Sequence, residues 1–247
     1  MSSSPPLPIQ EQVRIALSNR PFLLVIGIYL CSWLGVQVTA TMLPYFVVNW
    51  MQLDDHHFTQ MALAVQGTAL LMMAFWSYWG QRWGKRKVYC LAIPLTLIAQ
   101  MGLFLLQPGQ VWAMYGIGMI AGAGLAVAYL IPWSMLPDVI DLDELQTGER
   151  REGIFYGFVV QLQKIAIALF MVGQILDLAG FISNNSTQVA TTTQPDSALL
   201  AIRWLIGPIP SLVLIGGVIF ALIYPITREF HEEILLKLTE RKRYFKE

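Results

Sequence analysis

The sequence predicts an all-α membrane protein of six transmembrane helices with both termini on the cytoplasmic side. Three observations predict it. Six stretches reach the roughly 18-residue apolar length that marks a span. Charged residues are only 13% of the 247, against 55% hydrophobic, where a soluble domain carries about 25% charged. The basic residues also alternate. Fourteen of the sixteen Lys and Arg fall in the N-terminal arm, the second and fourth connections and the tail, and none in the other three connections. By the positive-inside rule the basic segments are cytoplasmic. The net charge is zero, which gives no basic field for a nucleic-acid partner.

The elements follow in chain order. Residues 1–8, Met1-Ser-Ser-Ser-Pro-Pro-Leu-Pro, read as disordered and lack the charged and apolar regions of a cleavable signal. Residues 9–19 place Ile9, Val13, Ala16 and Leu17 at helical spacing, which predicts a short amphipathic helix on the membrane surface. This arm, residues 1–20, carries Arg14 and Arg20. The bundle of spans covers 21–226. Its first span is 21–51, with Pro21 at the start and Pro44 as a kink. The second is 60–80 and the third 88–106. Between them, Gly80-Gln-Arg-Trp-Gly-Lys-Arg-Lys87 makes a tight basic reversal. The fourth span, 111–136, holds Gly118-xxx-Gly122, a motif for close helix packing. The fifth is 154–181. The sixth, 199–226, holds Gly207-Pro208-Ile-Pro210, which predicts a break or kink. The loop 182–198 is rich in Ser, Thr, Asn and Gln and includes formal glycosylation sequons at Asn184 and Asn185. The tail, 227–247, has Phe230, Ile234, Leu235 and Leu238 on one side, which reads as an amphipathic helix on the anionic leaflet. Cys31 and Cys90 both lie in apolar segments and read as small buried residues.

Charges inside spans are costly and point to function by default. Lys164 stands ten residues into the fifth span, about 15 Å along it and near mid-membrane. Gly153, Gly157, Gln161 and Ala168 share its helical face. This small and polar stripe suits either an aqueous pathway or tight packing. The alternative is a structural lysine paired with a carboxylate or with carbonyls. Asp177 and Arg203 each lie one turn inside the external boundary, on consecutive antiparallel spans. They are candidates for an ion pair closing an external gate; otherwise both snorkel to the interface. The segment Pro137-Asp-Val-Ile-Asp-Leu-Asp-Glu144 follows the fourth span and carries four carboxylates. Pairing of Asp138 and Asp141 with Arg82, Lys85, Arg86, Arg150 and Arg151 would make a cytoplasmic latch. A metal site built on Asp138, Asp141, Asp143 and Glu144 is the enzymatic alternative. No nucleophile–histidine constellation or phosphate loop accompanies it, so no cofactor and no metal are expected. His56, His57 and His231 read as surface residues.

The run Pro132-Trp-Ser-Met-Leu-Pro-Asp-Val-Ile-Asp141, then Thr147-Gly-Glu-Arg-Arg-Glu-Gly153, then Phe155-Tyr-Gly157 and Lys164, resembles the C-terminal half of the glycoside–pentoside–hexuronide:cation symporter family of the major facilitator superfamily. That is the family of melibiose permease and the sodium-dependent lysolipid symporters. Residues 80–86 resemble the superfamily's loop between helices eight and nine. The resemblance covers residues 10–247 and implies that the six spans are helices seven to twelve. It implies that Lys164 faces a central cavity, with Gln161 and Gly157 lining its face. It further implies transport of a sugar, glycoside or related amphiphile by alternating access, coupled to Na+ or H+. In that family the cation-binding carboxylates lie on the N-terminal half, so a homodimer or a separate N-terminal-half chain is expected as partner. Rival readings are a non-transporting remnant or interaction protein, and the metal-dependent enzyme above. The expected location is a multi-pass position in a bacterial plasma membrane.

Overall fold

The computed structural model describes residues 9–163, 175–181 and 194–244. These residues form helices and connections, with no strand among them. Helix α1 spans Ile9–Ser18 and α2 spans Arg20–Tyr45. Asn19 separates them by capping α2: its side chain accepts from the Phe22 N–H at 3.0 Å, and Pro21 stands in the first turn, where no N–H is needed. Asn19→Ala is expected to cost about 1 kcal/mol, read as a melting temperature ~2–4 °C lower in detergent. An unchanged melting curve would remove the cap from the account. After Pro44 the chain widens into a π-helical turn, Phe46–Trp50, closed by a 2.9 Å bond from the Met51 N–H to the Phe46 carbonyl.

Helix α3, Asp55–Trp83, reverses into α4, Lys85–Leu105, through one residue. That residue is Gly84 at φ +92°, a conformation that excludes most side chains. Helix α5 runs from Val111 to Thr147 and ends on Gly148 at φ +82°, an αL cap. The expected end at residue 136 is therefore eleven residues short of the observed one. The acidic segment is the last part of this helix and not a loop. Helix α6 is Glu152–Gln163, and residues 175–178 carry helical backbone. Residues 164–174 of the fifth predicted span lie outside the described residues, as does most of the loop 182–198, including both sequons. The sixth predicted span is two helices, α7 (Asp196–Ile206) and α8 (Pro208–Ile223), broken at Gly207 as its proline pair predicts. Helix α9 spans Arg228–Tyr244.

Helix α5 is the axis of the bundle, packed against α2, α3 and α4, while α8 lies on α2 and α4. Glycines set the close approaches. A Cβ on Gly118 would meet Met61 at 2.5 Å, and one on Gly122 would overlap the Val65 carbonyl oxygen. Several polar side chains buried between helices are paired in turn. Ser32 and Tyr89 share a 2.7 Å hydrogen bond between α2 and α4. Gln100 of α4 donates to Thr39 of α2 at 3.0 Å and accepts from Ser211 of α8 at 2.8 Å. Such bonds satisfy groups that lipid cannot. Outside, large apolar residues such as Leu70, Leu71 and Leu91 are exposed. Five helical stretches among the described residues are long and apolar enough to cross a membrane. Cys31 and Cys90 are half-buried thiols.

Helix α9 differs from a leaflet-bound tail. Ile234 and Leu238 are buried in the core of the bundle, with α9 against α5, while Phe230 and Leu235 stay exposed. The protein itself, not lipid, receives the inner pair of this apolar stripe.

Candidate functional site

Two places concentrate groups that packing alone does not explain. The first is a recess of about 250 Å³ bounded by α2, α3, α4 and α5. Its wall is mostly apolar, with Leu43, Phe58, Val65 and Leu125 among the lining residues. Thr39, Gln66, Thr96, Gln100 and Tyr129 add a few polar groups. The Thr96 hydroxyl is buried without a partner among the described residues. Gly124 faces it so closely that a Cβ there would overlap the hydroxyl oxygen. An apolar pocket with few convergent polar groups is the usual form of a small-molecule site. One turn beyond Tyr129 on α5, Trp133 stacks on Tyr156 of α6 at 6.3 Å between ring centroids.

The second is the acidic end of α5. Asp138, Asp141 and Glu144 recur every three residues, so they share one face of the helix. All three are buried and each meets a base. Lys85 lies 2.6 Å from Asp138, Arg150 lies 2.9 Å from Asp141 and 2.7 Å from Glu144, and Lys242 lies 2.9 Å from Glu144. His231 stands 3.0 Å from Asp141 and 3.4 Å from Asp138. Bonds from Glu144, Glu152 and Asp141 hold the Arg150 guanidinium above its already high ordinary pKa. The cluster ties α4, α5, the loop after α5 and α9 together.

Of the expected latch, Lys85, Asp138, Asp141 and Arg150 come together. Arg82, Arg86 and Arg151 do not join them. Arg86 donates to the carbonyls of Leu222 and Tyr224, where α8 ends with unpaired carbonyls. Arg82 donates to the Tyr78 hydroxyl at 2.7 Å, and Arg151 pairs with Glu149 at 3.1 Å. His231, Glu144 and Lys242 complete the network instead. The three-residue spacing from Asp141 to Glu144 was the available signal for Glu144. Nothing local signals His231 or Lys242, which arrive from 90 or more residues away.

Arg203 makes no ion pair with Asp177, which is exposed. Its Nε and Nη2 donate to the Phe104 carbonyl at 3.2 and 2.7 Å, and its guanidinium sits 4.4 Å from the Trp50 ring and 4.8 Å from the Phe104 ring. The C-terminus of α4 leaves that carbonyl unpaired, and a cation there also meets the negative end of the helix dipole. Lys164 lies outside the described residues. Gln161 and Gly157 are exposed on α6 and do not line the recess. A Cβ on Gly153 or Gly157 would have no neighbour within 4 Å. No group of three or more His, Cys, Asp or Glu suited to a metal occurs among the described residues. The carboxylates proposed for such a site are taken by bases, apart from Asp143.

Comparison with known proteins adds the family. The model of the family described as MFS/sugar transport protein matches residues 2–228. An uncharacterised symporter of Synechocystis sp. is 52% identical over 96% of this chain and 44% of its own length. A sphingosine-1-phosphate transporter of Xenopus tropicalis is 28% identical over 94% of this chain and 44% of its own length. A sodium-dependent lysophosphatidylcholine symporter of the same frog is 28% identical over 92% of this chain and 42% of its own length. The chain thus spans less than half the length of these curated relatives.

Proposed function

This chain belongs to the MFS/sugar transport protein family, and from that premise we propose that it forms one half, helices seven to twelve, of a secondary transporter working by alternating access. It is a multi-pass membrane protein of the major facilitator fold and a member of a family of transporters, not of enzymes. Helices one to six, the other half of that fold, complete the pathway, and the coupling Na+ or H+ binds there. The observation that carries this reading is the recess between α2, α3, α4 and α5, apolar with a few polar groups. Its wall favours an amphiphile with one apolar segment over a bare sugar, whose hydroxyls would lose water without enough partners. Two of the relatives are named for cargo with this character. Lys164 is the proposed charge of the central cavity, which Gln161 and Gly157, exposed on α6, would border outside the recess. The carboxylate–base cluster at the end of α5 serves as the cytoplasmic latch.

Two linked measurements test it. The particle extracted gently from its native membrane should have a protein mass of at least about twice the 27.8 kDa of one chain. Reconstituted in vesicles, it should take up a labelled lysophospholipid faster than a labelled glycoside. Ala40 is exposed and lines the recess. Ala40→Phe, which fills it from the rim, should cut that uptake by at least roughly tenfold, equivalent to about 1.4 kcal/mol, with insertion unchanged. A stable particle of one chain, or a larger one that moves neither probe, sinks the proposal. Faster glycoside uptake would retain the transporter half and remove the amphiphile.

A further inference from the structure

A second cavity, of about 720 Å³, opens at the basic end of the bundle between α1, the start of α2 and the end of α5. It is independent of the recess and of the acidic face of α5. Arg14, Arg20 and Arg151 line it. Arg14 and Arg20 are exposed and make no ion pair among the described residues. Arg151 is bound on one side by Glu149 at 3.1 Å.

Asp143 also lines the cavity. It points off the face that Asp138, Asp141 and Glu144 share, because it is two residues beyond Asp141 and not three. It is 5% exposed. One carboxylate oxygen meets only the Asn19 amide at 3.5 Å, and the other has no hydrogen-bond partner. A buried, unsatisfied carboxylate oxygen is costly and calls for a donor. The cavity therefore offers two unpaired guanidinium groups for an anion and one unpaired acceptor for a donor. A bare phosphate satisfies the arginines but is repelled by Asp143 and by Glu11 on the rim. A phosphodiester ending in a hydroxyl or ammonium satisfies both.

We propose that the cavity between α1, α2 and α5 binds a phosphodiester headgroup with a terminal hydrogen-bond donor, its phosphate between Arg14 and Arg20 and its donor on Asp143. An amphipathic helix such as α1 suits the membrane surface, where such a group is presented by a phospholipid, and planar guanidinium groups suit phosphate oxygens. Bound lipid would fasten α1 to the end of α5, the helix that also carries the charge cluster.

The test is thermal unfolding of the full chain purified in detergent, with three probes. Dioleoyl phosphatidylglycerol has the phosphate and the donor. Dioleoyl phosphatidylcholine has the phosphate but no donor. Glycerol 3-phosphate is a soluble phosphomonoester with free hydroxyls. At a tenfold excess over Kd, phosphatidylglycerol should raise Tm by about 4 °C, with a smaller rise from phosphatidylcholine and none from glycerol 3-phosphate. A rise from glycerol 3-phosphate equal to that from the lipid would overturn the phosphodiester, because this probe is a monoester. The double variant Arg14→Gln, Arg20→Gln should lose the phosphatidylglycerol shift. Asp143→Ala should make the two lipids equal. Equal shifts from both lipids in the unaltered chain, or an unchanged shift in the arginine variant, would overturn the proposal.

Discussion

Lys85→Ala is expected to destabilise the chain by about 3 kcal/mol, toward the lower end of the cost of breaking a buried ion pair. Lys85 lies 2.6 Å from Asp138 and donates to the Ser134 carbonyl at 2.6 Å. Asp138 is 4% exposed, so water cannot replace the lost ammonium. His231 at 3.4 Å is the other base within reach, and it already serves Asp141 at 3.0 Å. That partial substitute is why the cost falls at the lower end. The discriminating measurement is a double-mutant cycle in detergent. Asp138→Asn removes the uncompensated charge while keeping the shape, so Lys85→Ala with Asp138→Asn should be more stable than Lys85→Ala alone. Additive losses would mean that the pair does not interact and that Lys85 acts only through the Ser134 carbonyl.

The same cluster shows what local sequence can and cannot reveal. The spans were legible because lipid demands long uncharged stretches, and four of the six appear as single helical stretches of spanning length. Gly207-Pro208 was legible as a break because proline cannot continue an α-helical ladder. The end of α5 was legible in part: bases at Lys85 and Arg150 were expected for Asp138 and Asp141, but not the helix running on to Thr147 or the bases His231 and Lys242. Those bases come from α4, α9 and the loop after α5. For Arg86 and Arg203 the charge was legible but the partner was not. Both choose carbonyls at helix C-termini over carboxylates. That choice depends on which helix end lies beside the arginine, which is a property of the packing. The recess escaped for a related reason: Thr39, Gln66, Thr96 and Tyr129 are spread over four helices and carry no motif. A search for intramembrane charge finds Lys164 and passes over a site made mostly of apolar and uncharged residues.

The largest packing effect should come from Gly122→Val. Helices α3 and α5 approach so closely here that a Cβ on Gly122 would overlap the Val65 carbonyl oxygen, and it would stand 3.0 Å from Thr68 Cβ and 3.1 Å from the Val65 carbonyl carbon. Two of these three are backbone atoms, which no rotamer change can move aside. The helices must separate, and with them goes the hydrogen bond from the Trp76 indole to the Ala123 carbonyl, now 2.8 Å. Overpacking costs about 1–3 kcal/mol where side chains can yield and more where they cannot. A loss above about 3 kcal/mol is therefore expected, read as a fall in Tm and a broadened elution peak in detergent. Gly116 supplies the control on the same helix. A Cβ there has no neighbour within 4 Å, so Gly116→Val should stay within about 0.5 kcal/mol of the parent. In lipid the apolar effect does not press helices together, and small residues set how near they come. If both valine variants melt alike, the α3–α5 contact does not hold the bundle. If only Gly122→Val fails, the Gly118-xxx-Gly122 stripe is what brings α5 against α3 and gives the recess its wall.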